Sequence, residues 1–157
     1  MLTRLMEPKR LAKGNHAFFQ LHGLMALAVA VEDDQSKRLK DYANEQFSRL
    51  LREHFTPEGV HKEHSPEYHF FVVRTVKKML DTGWYTSDSV ALLNRANEVG
   101  YWLKTPDGRP VPAGDTGYSN WRLPKDINQP TLRVLDAGYA VVKGGSSMLF
   151  MTRSYHS

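Results

Sequence analysis

One long apolar stretch most constrains how this chain can fold. Within residues 15–31, large apolar side chains fall on nearly every side of a predicted helix: Phe18, Phe19, Leu21, Leu24, Met25, Leu27 and Val29. A helix without a polar face is normally buried inside a larger assembly. The stretch is shorter than the run of about 20 apolar residues that crosses a bilayer. The sequence therefore predicts a helix that is packed by other parts of the protein.

Three further helices are predicted from the spacing of apolar residues. Residues 39–55 carry them at helical intervals, after the acidic residues 32–34, which suit a helix start. Residues 56–59 read Thr-Pro-Glu-Gly and end this helix. Residues 65–67 read Ser-Pro-Glu, a capping serine, a first-turn proline and a glutamate that favours the helix dipole. With a fourth helix at about 87–103, the pattern predicts stacked helical hairpins.

The composition changes after Lys104. Residues 105–108 read Thr-Pro-Asp-Gly and open a stretch rich in proline and glycine, which predicts a long loop. Residues 132–142 and 148–155 then show a β pattern around a Gly144-Gly145 turn. A lone hairpin is marginally stable in water, so we expect an incomplete sheet in a chain that is cut short. The predicted parts are a helical domain at 1–104, a linking loop at 105–131 and a β-domain start at 132–157.

Charge and cysteine content narrow the class of protein. The chain has 157 residues, with 21 lysines and arginines against 17 acidic residues, a formal net charge of +4. Such a balance suits a polyanionic ligand without choosing among acidic polysaccharide, nucleic acid and anionic lipid. The absence of cysteine excludes disulfides and thiolate chemistry. The N-terminal residues do not read as a signal peptide.

Two places concentrate side chains that can do chemistry. Asn15 and His16 stand at the mouth of the apolar helix, with Gln20 one turn beyond, and capping is the structural alternative for them. Residues 61–69 contain three histidines, two glutamates and a tyrosine, more proton-exchanging groups than a solvated loop needs. Tyr68 lies in a helix's first turn, where backbone N–H groups favour a nearby anion.

Other candidates have stronger structural alternatives. His61-x-x-His64 permits a metal site, because imidazole is a common zinc ligand, but the spacing matches no closed zinc pattern. We therefore predict no metal site. Asp115 lies in a Gly-Asp-Thr-Gly turn, where a structural Asx-turn is at least as well supported as a ligand contact. The remaining histidines, which we predict to be structural, are His22, His54 and His156.

Several segments together resemble the heparinase II/III-like polysaccharide lyases, whose relatives include heparan and alginate lyases. The segments are Gly14-Asn15-His16-x-x-x-Gln20, residues 59–69, Pro112-x-Gly114-Asp115-Thr116, residues 136–141 and residues 155–157. Each motif is weak alone, but their order and spacing run through nearly the whole chain. The resemblance implies a mainly α fold, an incomplete α/α toroid followed by an antiparallel β-sandwich-type domain.

The resemblance also implies roles for individual residues. In this family an Asn-His pair engages the uronate carboxylate and a later tyrosine transfers the proton, positions that Asn15, His16 and Tyr68 match. A further catalytic histidine, and a metal cluster found in some relatives, would fall beyond Ser157, so no cofactor is assigned to this chain. The residues assigned to substrate contact or to supporting positions are Gln20, Glu63, His64, His69 and Asp115. Trp102, Tyr118 and Trp121 are candidates to stack on sugar rings, with core burial the better interpretation of Trp102.

The chemistry of β-elimination explains these residue types. Removing the proton beside a carboxylate builds negative charge there, which hydrogen bonds from Asn15 and His16 would stabilise. Tyr68 would take the proton, return it to the leaving oxygen, or do both. A tyrosine phenol ordinarily has a pKa of about 10, so the base role requires a stabilised phenolate. The helix N-terminus, His64, His69 and nearby basic residues are expected to supply that stabilisation.

The function predicted from the sequence is therefore a polysaccharide lyase acting on uronic-acid-containing polysaccharide. The expected partner is this acidic glycan, not nucleic acid, with no transmembrane segment, and the family implies export from the cytoplasm. One alternative is a non-catalytic helical module that binds acidic glycan. A helical scaffold for protein partners is a weaker alternative, because the helices show no sequence repeat.

Overall fold

Four α-helices precede a small antiparallel sheet in the computed structural model of the chain, which describes residues 6, 10–31, 34–117, 122 and 131–153. The helices are α1 His16–Ala30, α2 Asp34–His54, α3 Pro66–Leu80 and α4 Ser87–Val99, with a short 3₁₀ helix at Gly100–Leu103. The strands are β1 Thr131–Leu135, β2 Tyr139–Gly144 and β3 Ser147–Thr152. The prediction of a mainly helical chain followed by antiparallel strands is confirmed. None of the helices in the described ranges is long and apolar enough to span a membrane.

The strand predicted over 132–142 is wrong, because the chain reverses inside it. Residues 136–138 form a turn in which the Gly138 N–H donates to the Leu135 carbonyl at 2.9 Å. Gly138 has a φ of +81°, which a glycine adopts without strain. The result is a three-stranded meander in the order β1-β2-β3 rather than a single hairpin. The Gly144-Gly145 turn is where the sequence predicted it, between β2 and β3.

The first apolar core is formed by the four helices. Phe18 and Leu21 of α1 pack with Phe47 and Leu51 of α2, and the side chains that α3 and α4 contribute include Val72 and Leu93. The apolar helix α1 is buried along one face only: its opposite face exposes Phe19 and Leu27. The prediction that α1 is surrounded by other parts of the protein therefore holds for one of its two faces in the described structure.

A second apolar core joins the sheet to the helical part. Its buried members are Val60, Val99, Leu103, Leu135, Ala137, Tyr139 and Val141, with Trp102 partly buried against them. Reciprocal hydrogen bonds fix this contact: the Glu58 N–H donates to Asp136 Oδ2 at 2.9 Å, and the Asp136 N–H donates to Glu58 Oε2 at 2.8 Å. Arg133 adds an ion pair with Glu58. The β1–β2 turn is thus tied to the loop after α2.

The other face of the sheet is apolar and exposed. The register pairs Leu132 with Val142 and Val142 with Leu149, so these three side chains share one face, as do Val134 and Met151 further along. All five are exposed in the structure. Both faces of this small sheet therefore carry apolar residues, and the helices cover only one of them.

Gly59 is a position where an added side chain would collide with backbone. Its φ is +99°, and a Cβ there would lie 2.5 Å from the Ala96 nitrogen. We expect Gly59→Ala to lower the free energy of unfolding by more than about 3 kcal/mol in urea denaturation, since neither backbone can move cheaply. Gly83→Ala is the control, because Gly83 has a φ of +76° but open space around it, and about 1 kcal/mol is expected there. Equal losses for the two variants would contradict this account.

Some sequence expectations fall outside the described residues. The acidic residues Glu32 and Asp33, placed at the start of the second helix, are among them. So are Tyr118 and Trp121, the two candidates for sugar stacking in the long loop, and the closing segment 155–157 with His156. These expectations stay predictions.

Candidate active site

The turn before α1 presents Asn15 and His16 differently from a simple helix cap. Asn15 occupies the N-cap position, but its side chain makes no capping hydrogen bond, and its Oδ1 is buried without a partner. His16 is exposed. Gln20 Oε1 accepts the Ala12 N–H at 2.6 Å and so holds the preceding segment to the helix. An unpaired buried polar atom is uncommon in a folded protein, and here it is the amide oxygen, which accepts but cannot donate a hydrogen bond. Asn15 therefore does not cap α1 with its side chain.

His69 lies in the core with both ring nitrogens engaged by the backbone. Its Nδ1 accepts the His61 N–H at 3.3 Å, and its Nε2 donates to the Ala96 carbonyl at 2.9 Å. These partners require the neutral ring with the proton on Nε2. Burial lowers the pKa of His69 to about 4, against the opposing effect of the Ala96 bond. His69 therefore ties α3 to α4 and has no ring nitrogen left for a substrate.

His61 is buried beside a second histidine, His54. His54 Nδ1 and His61 Nε2 are 3.1 Å apart and share one hydrogen bond, while His61 Nδ1 has no partner. Burial lowers the pKa of His61 to about 3, and the neighbouring histidines add to this effect. Burial also lowers the pKa of His54, opposed by the carboxylates of Glu63 and Glu53. His54, which is predicted from the sequence to be structural, therefore lies at the centre of this cluster.

The same cluster contains the groups best placed to hold a metal ion among the described residues. Ligand atoms of His54, His61 and Glu63 lie within 4.8 Å of one another. Two imidazole nitrogens and a carboxylate oxygen are ligand types that zinc accepts. The histidine that the sequence paired with His61 lies elsewhere: His64 Nδ1 is 3.3 Å from the Tyr139 hydroxyl. The potential ligand set is thus His54-His61-Glu63 rather than His61-x-x-His64.

The first turn of α3 is capped by side chains. Ser65 Oγ accepts the Tyr68 N–H at 3.3 Å, as the sequence predicted for a capping serine. Thr116 Oγ1 accepts the Glu67 N–H at 3.1 Å and lies 3.0 Å from Ser65 Oγ. The backbone N–H groups of Glu67 and Tyr68, which were predicted to favour an anion, therefore already have hydrogen-bond partners. An anion near Tyr68 would have to bind mainly to side chains.

The loop that supplies Thr116 packs against the residues before α3. A Cβ at Gly114 would collide with the His64 carbonyl oxygen, so the two backbones are in close contact. Asp115, the next residue, is exposed in a turn, as is Glu63 on the opposite side of this contact. The two segments of the sequence resemblance, 59–69 and 112–116, are thus brought together in the structure.

Tyr68 differs from its neighbours because it faces outward. Its side chain is 44% exposed, whereas His61, Ser65 and His69 around it are buried. Its ring meets Phe71 edge to face, with centroids 6.3 Å apart. The capped helix and the buried histidines therefore form a rigid support that presents one phenol to solvent.

A groove of about 420 Å³ runs between α1 and α3. The residues that line it are Phe19, His22, Arg74, Thr75, Lys78 and Met79. Phe19 is three residues after His16, on the same face of α1, and Phe71 and Thr75 follow Tyr68 at helical intervals. The described hydrogen bonds and ring contacts do not join Asn15 or His16 directly to Tyr68. Each of the two places begins a helix that forms one wall of this groove.

Sequence reasoning missed the groove residues and His54. His54 was detectable in principle, because the Thr-Pro-Glu-Gly turn after α2 brings residues 54 and 62 together: the Lys62 N–H donates to the His54 carbonyl at 2.8 Å. Phe19 was counted with the core of an all-round apolar helix. Arg74 and Lys78 are spaced by one helical turn on α3, and this spacing can be read from the sequence. The sequence does not show that α1 lies opposite them and forms the other wall of the groove.

Two solved structures share this fold. "Crystal Structure of Heparinase III" superposes with a TM-score of 0.65 at 15% identity, over 94% of this chain and 30% of that chain. A heparinase III gene product with methylated lysines gives a TM-score of 0.55 at 15% identity, over 63% of this chain and 17% of that chain. At this identity the likeness is one of fold. No protein-family model and no curated protein sequence matches the chain.

Proposed function

We propose that this chain forms the helical part of the active site of a polysaccharide lyase that cleaves uronic-acid-containing polysaccharide by β-elimination. The observation that carries the proposal is the exposed Tyr68, held on a rigid buried support in a fold that resembles heparinase III. The chain spans less than a third of the two heparinase III structures. The activity is therefore proposed for the full-length gene product.

The proposed reaction assigns one step to each group. The proton beside the uronate carboxylate is removed, its electron pair forms the new carbon–carbon double bond, and the glycosidic carbon–oxygen bond breaks. Asn15 and His16 donate hydrogen bonds to the carboxylate, where charge develops. Tyr68 takes part in moving the proton to the leaving oxygen. The lack of a capping hydrogen bond from the Asn15 side chain and the exposure of His16 support these roles. For Asn15 the donor would be the side-chain amide N–H.

Supporting roles follow from the positions of the other residues. Gln20 holds the segment before α1, and His69 positions α3 through its two backbone bonds. Glu63, His64 and Asp115 are exposed around the start of α3, where we propose that they contact substrate or orient their neighbours. We do not assign His69 the stabilisation of a Tyr68 phenolate, since both of its nitrogens are engaged.

The proposal extends to the domain architecture. We infer an incomplete α/α toroid at 1–104, a linking loop at 105–131 and the first strands of an antiparallel β-sandwich-type domain at 132–157. The exposed apolar face of the sheet supports the last assignment, because a sheet in a sandwich buries such a face against a second sheet. Limited proteolysis of the full-length protein tests it: cleavage within 105–131 is expected before cleavage within the helices or strands.

The lyase proposal is tested with a panel of acidic glycans. The full-length gene product is incubated with alginate, heparan-type and bacterial uronate polymers, and the ultraviolet absorbance of the unsaturated uronate product is followed. An increase with at least one polymer is expected. Salt-sensitive binding without product would support the second candidate, a non-catalytic module that binds acidic glycan. The cationic groove residues Arg74 and Lys78 favour such binding whether or not turnover follows.

Asn15 offers a test that separates catalysis from helix capping. Because its side chain makes no capping bond, we expect Asn15→Ala to change stability by less than about 0.5 kcal/mol but to lower kcat by roughly 10²–10³-fold. Ser65→Ala is the contrasting variant, since Ser65 is a true cap and its loss costs about 1 kcal/mol. Thermal unfolding and initial rates measure both. A large stability loss for Asn15→Ala with unchanged kcat would return Asn15 to a structural role.

A further inference from the structure

Tyr68 lies on the same face of α3 as residues that line the groove between α1 and α3. Tyr68, Phe71, Thr75 and Lys78 follow one another on α3 at spacings of three and four residues, which place side chains on one helix face. The rings of Tyr68 and Phe71 are in contact, and Thr75 and Lys78 line the groove. Ten residues of helix cover about 15 Å, the length of a few sugar units. One surface therefore leads from the proposed proton-transfer group to a lysine.

The opposite wall of the groove presents an aromatic ring. Phe19 of α1 is 53% exposed although it belongs to a helix that is otherwise rich in buried side chains. His22 lies one turn further along, where its Nδ1 is 2.9 Å from the Tyr85 hydroxyl and its ring stacks on Trp84. That wall is thus an exposed phenyl ring beside a histidine held in place by its own contacts. Aromatic faces of this kind suit the C–H faces of sugar rings.

The charges of the groove select an anionic occupant. Its described lining residues include Arg74 and Lys78 and no carboxylate. Guanidinium and ammonium groups bind carboxylate or sulfate groups through charge-assisted hydrogen bonds. An apolar partner helix would bury the Lys78 ammonium in a groove whose described lining residues include no carboxylate, which is costly. The groove is therefore suited to a chain that alternates apolar ring faces with negative charges.

We propose that the α1–α3 groove is a binding subsite for the anionic sugar chain, in which Lys78 and Arg74 bind a carboxylate or sulfate while Phe19 and Phe71 contact sugar rings. The proposal rests on the proposed function for its assignment of the sugar-cleaving site to Tyr68. It makes Lys78 a specificity-determining residue three helical turns from the chemistry. Substrate length should then matter, because only a chain long enough to reach Lys78 gains from the subsite.

Lys77 supplies a matched control on the same helix. Its Nζ pairs with Asp81 at 2.7 Å on an exposed part of the surface, and it does not line the groove, whereas the adjacent Lys78 does. Lys77→Gln and Lys78→Gln remove the same charge from neighbouring positions. A general attraction between a basic protein and a polyanion would respond equally to the two changes.

The experiment measures binding of the full-length protein to uronate and sulfated uronate oligosaccharides of two lengths by calorimetry, at two salt concentrations. Lys78→Gln is expected to weaken binding of the longer oligosaccharide about fivefold to tenfold, and Lys77→Gln less than twofold. Phe19→Ala should also weaken binding of the longer oligosaccharide. Binding of the shorter oligosaccharide is expected to be unchanged in both Lys78→Gln and Phe19→Ala. Circular dichroism of each variant confirms that it is folded.

The outcomes separate this proposal from the lyase proposal. If no glycan is cleaved but Lys78→Gln alone weakens binding, the lyase proposal fails and the subsite stands. If turnover is found, Lys78→Gln should raise KM for long substrate with kcat unchanged, because the subsite binds ground state and transition state alike. Equal losses for both lysine variants, no loss for either, or Lys78-dependent binding of a single-stranded oligonucleotide without glycan binding would overturn the subsite.

Discussion

Tyr68→Phe is expected to lower the rate of glycan cleavage by about 10²–10⁴-fold, the range that a positioned acid–base group contributes. The change removes only the phenol oxygen, and the ring keeps its contact with Phe71. Because the side chain is 44% exposed, stability should change by less than about 0.5 kcal/mol. The measurement is kcat of the full-length protein by product absorbance, with glycan binding determined in parallel and expected to remain.

Tyr85→Phe is the opposite control. The Tyr85 hydroxyl is 2.9 Å from His22 Nδ1 in a half-buried position away from the start of α3, and burial raises the pKa of Tyr85 beyond the usual range of a phenol. Its loss should reduce stability by about 1 kcal/mol and leave kcat unchanged. Retention of full activity by Tyr68→Phe would remove Tyr68 from the mechanism. A shared loss of activity in both variants would point to a general structural effect.

The helices were predictable because their signals are local. Ser65 and Pro66 at the start of α3, and the Thr-Pro-Glu-Gly stop after α2, act within one turn of the chain. The structure confirms both. The turn at 136–138 was missed because the apolar residues on either side of it continue the β pattern. Its Asp136 is satisfied by Thr56 and Glu58, nearly eighty residues earlier, and no local pattern shows such a partner.

The amino-acid composition located the candidate site but did not show which of its residues are buried and which are exposed. Residues 61–69 were predicted to belong to the site because they contain many titratable groups. In the structure His61 and His69 are buried, while Glu63, His64 and Tyr68 are exposed. That division depends on which face of the first turn of α3 meets α4 and the second apolar core. These are contacts between distant segments, so the sequence could name the residues without saying which of them reach a ligand.

The burial of His61 and His69 should make the protein less stable at acidic pH. Burial lowers the pKa of His61 to about 3 and of His69 to about 4, below the ordinary value of 6.5 that holds in the unfolded chain. As the pH falls below 6.5, the unfolded state takes up protons that the folded state cannot. The stabilising effect of these neutral histidines is complete above pH 6.5 and decreases toward pH 4.

The expected loss is large for a protein of this size. Each histidine changes the free energy of unfolding by up to about 1.4 kcal/mol per pH unit. Together the two should lower the free energy of unfolding by roughly 3–5 kcal/mol between pH 7 and 4.5. That is a substantial part of a typical unfolding free energy of about 5–15 kcal/mol. Urea denaturation followed by circular dichroism at several pH values measures it. A stability that is constant over this range would contradict the buried, neutral state of both rings.

A pair of variants assigns the slope to a residue. His69→Gln keeps a group that can accept the His61 N–H but cannot titrate, so the slope against pH should fall by about half, whatever its effect on stability at pH 7. Val76→Ala in the same helix removes core volume without removing a titrating group, and it should keep the full slope. The comparison rests on slopes, so a general loss of stability does not imitate the effect. Equal slopes in the two variants would mean that His69 is not held neutral by the contacts that tie α3 to α4, and its role as the support of Tyr68 would have to be abandoned.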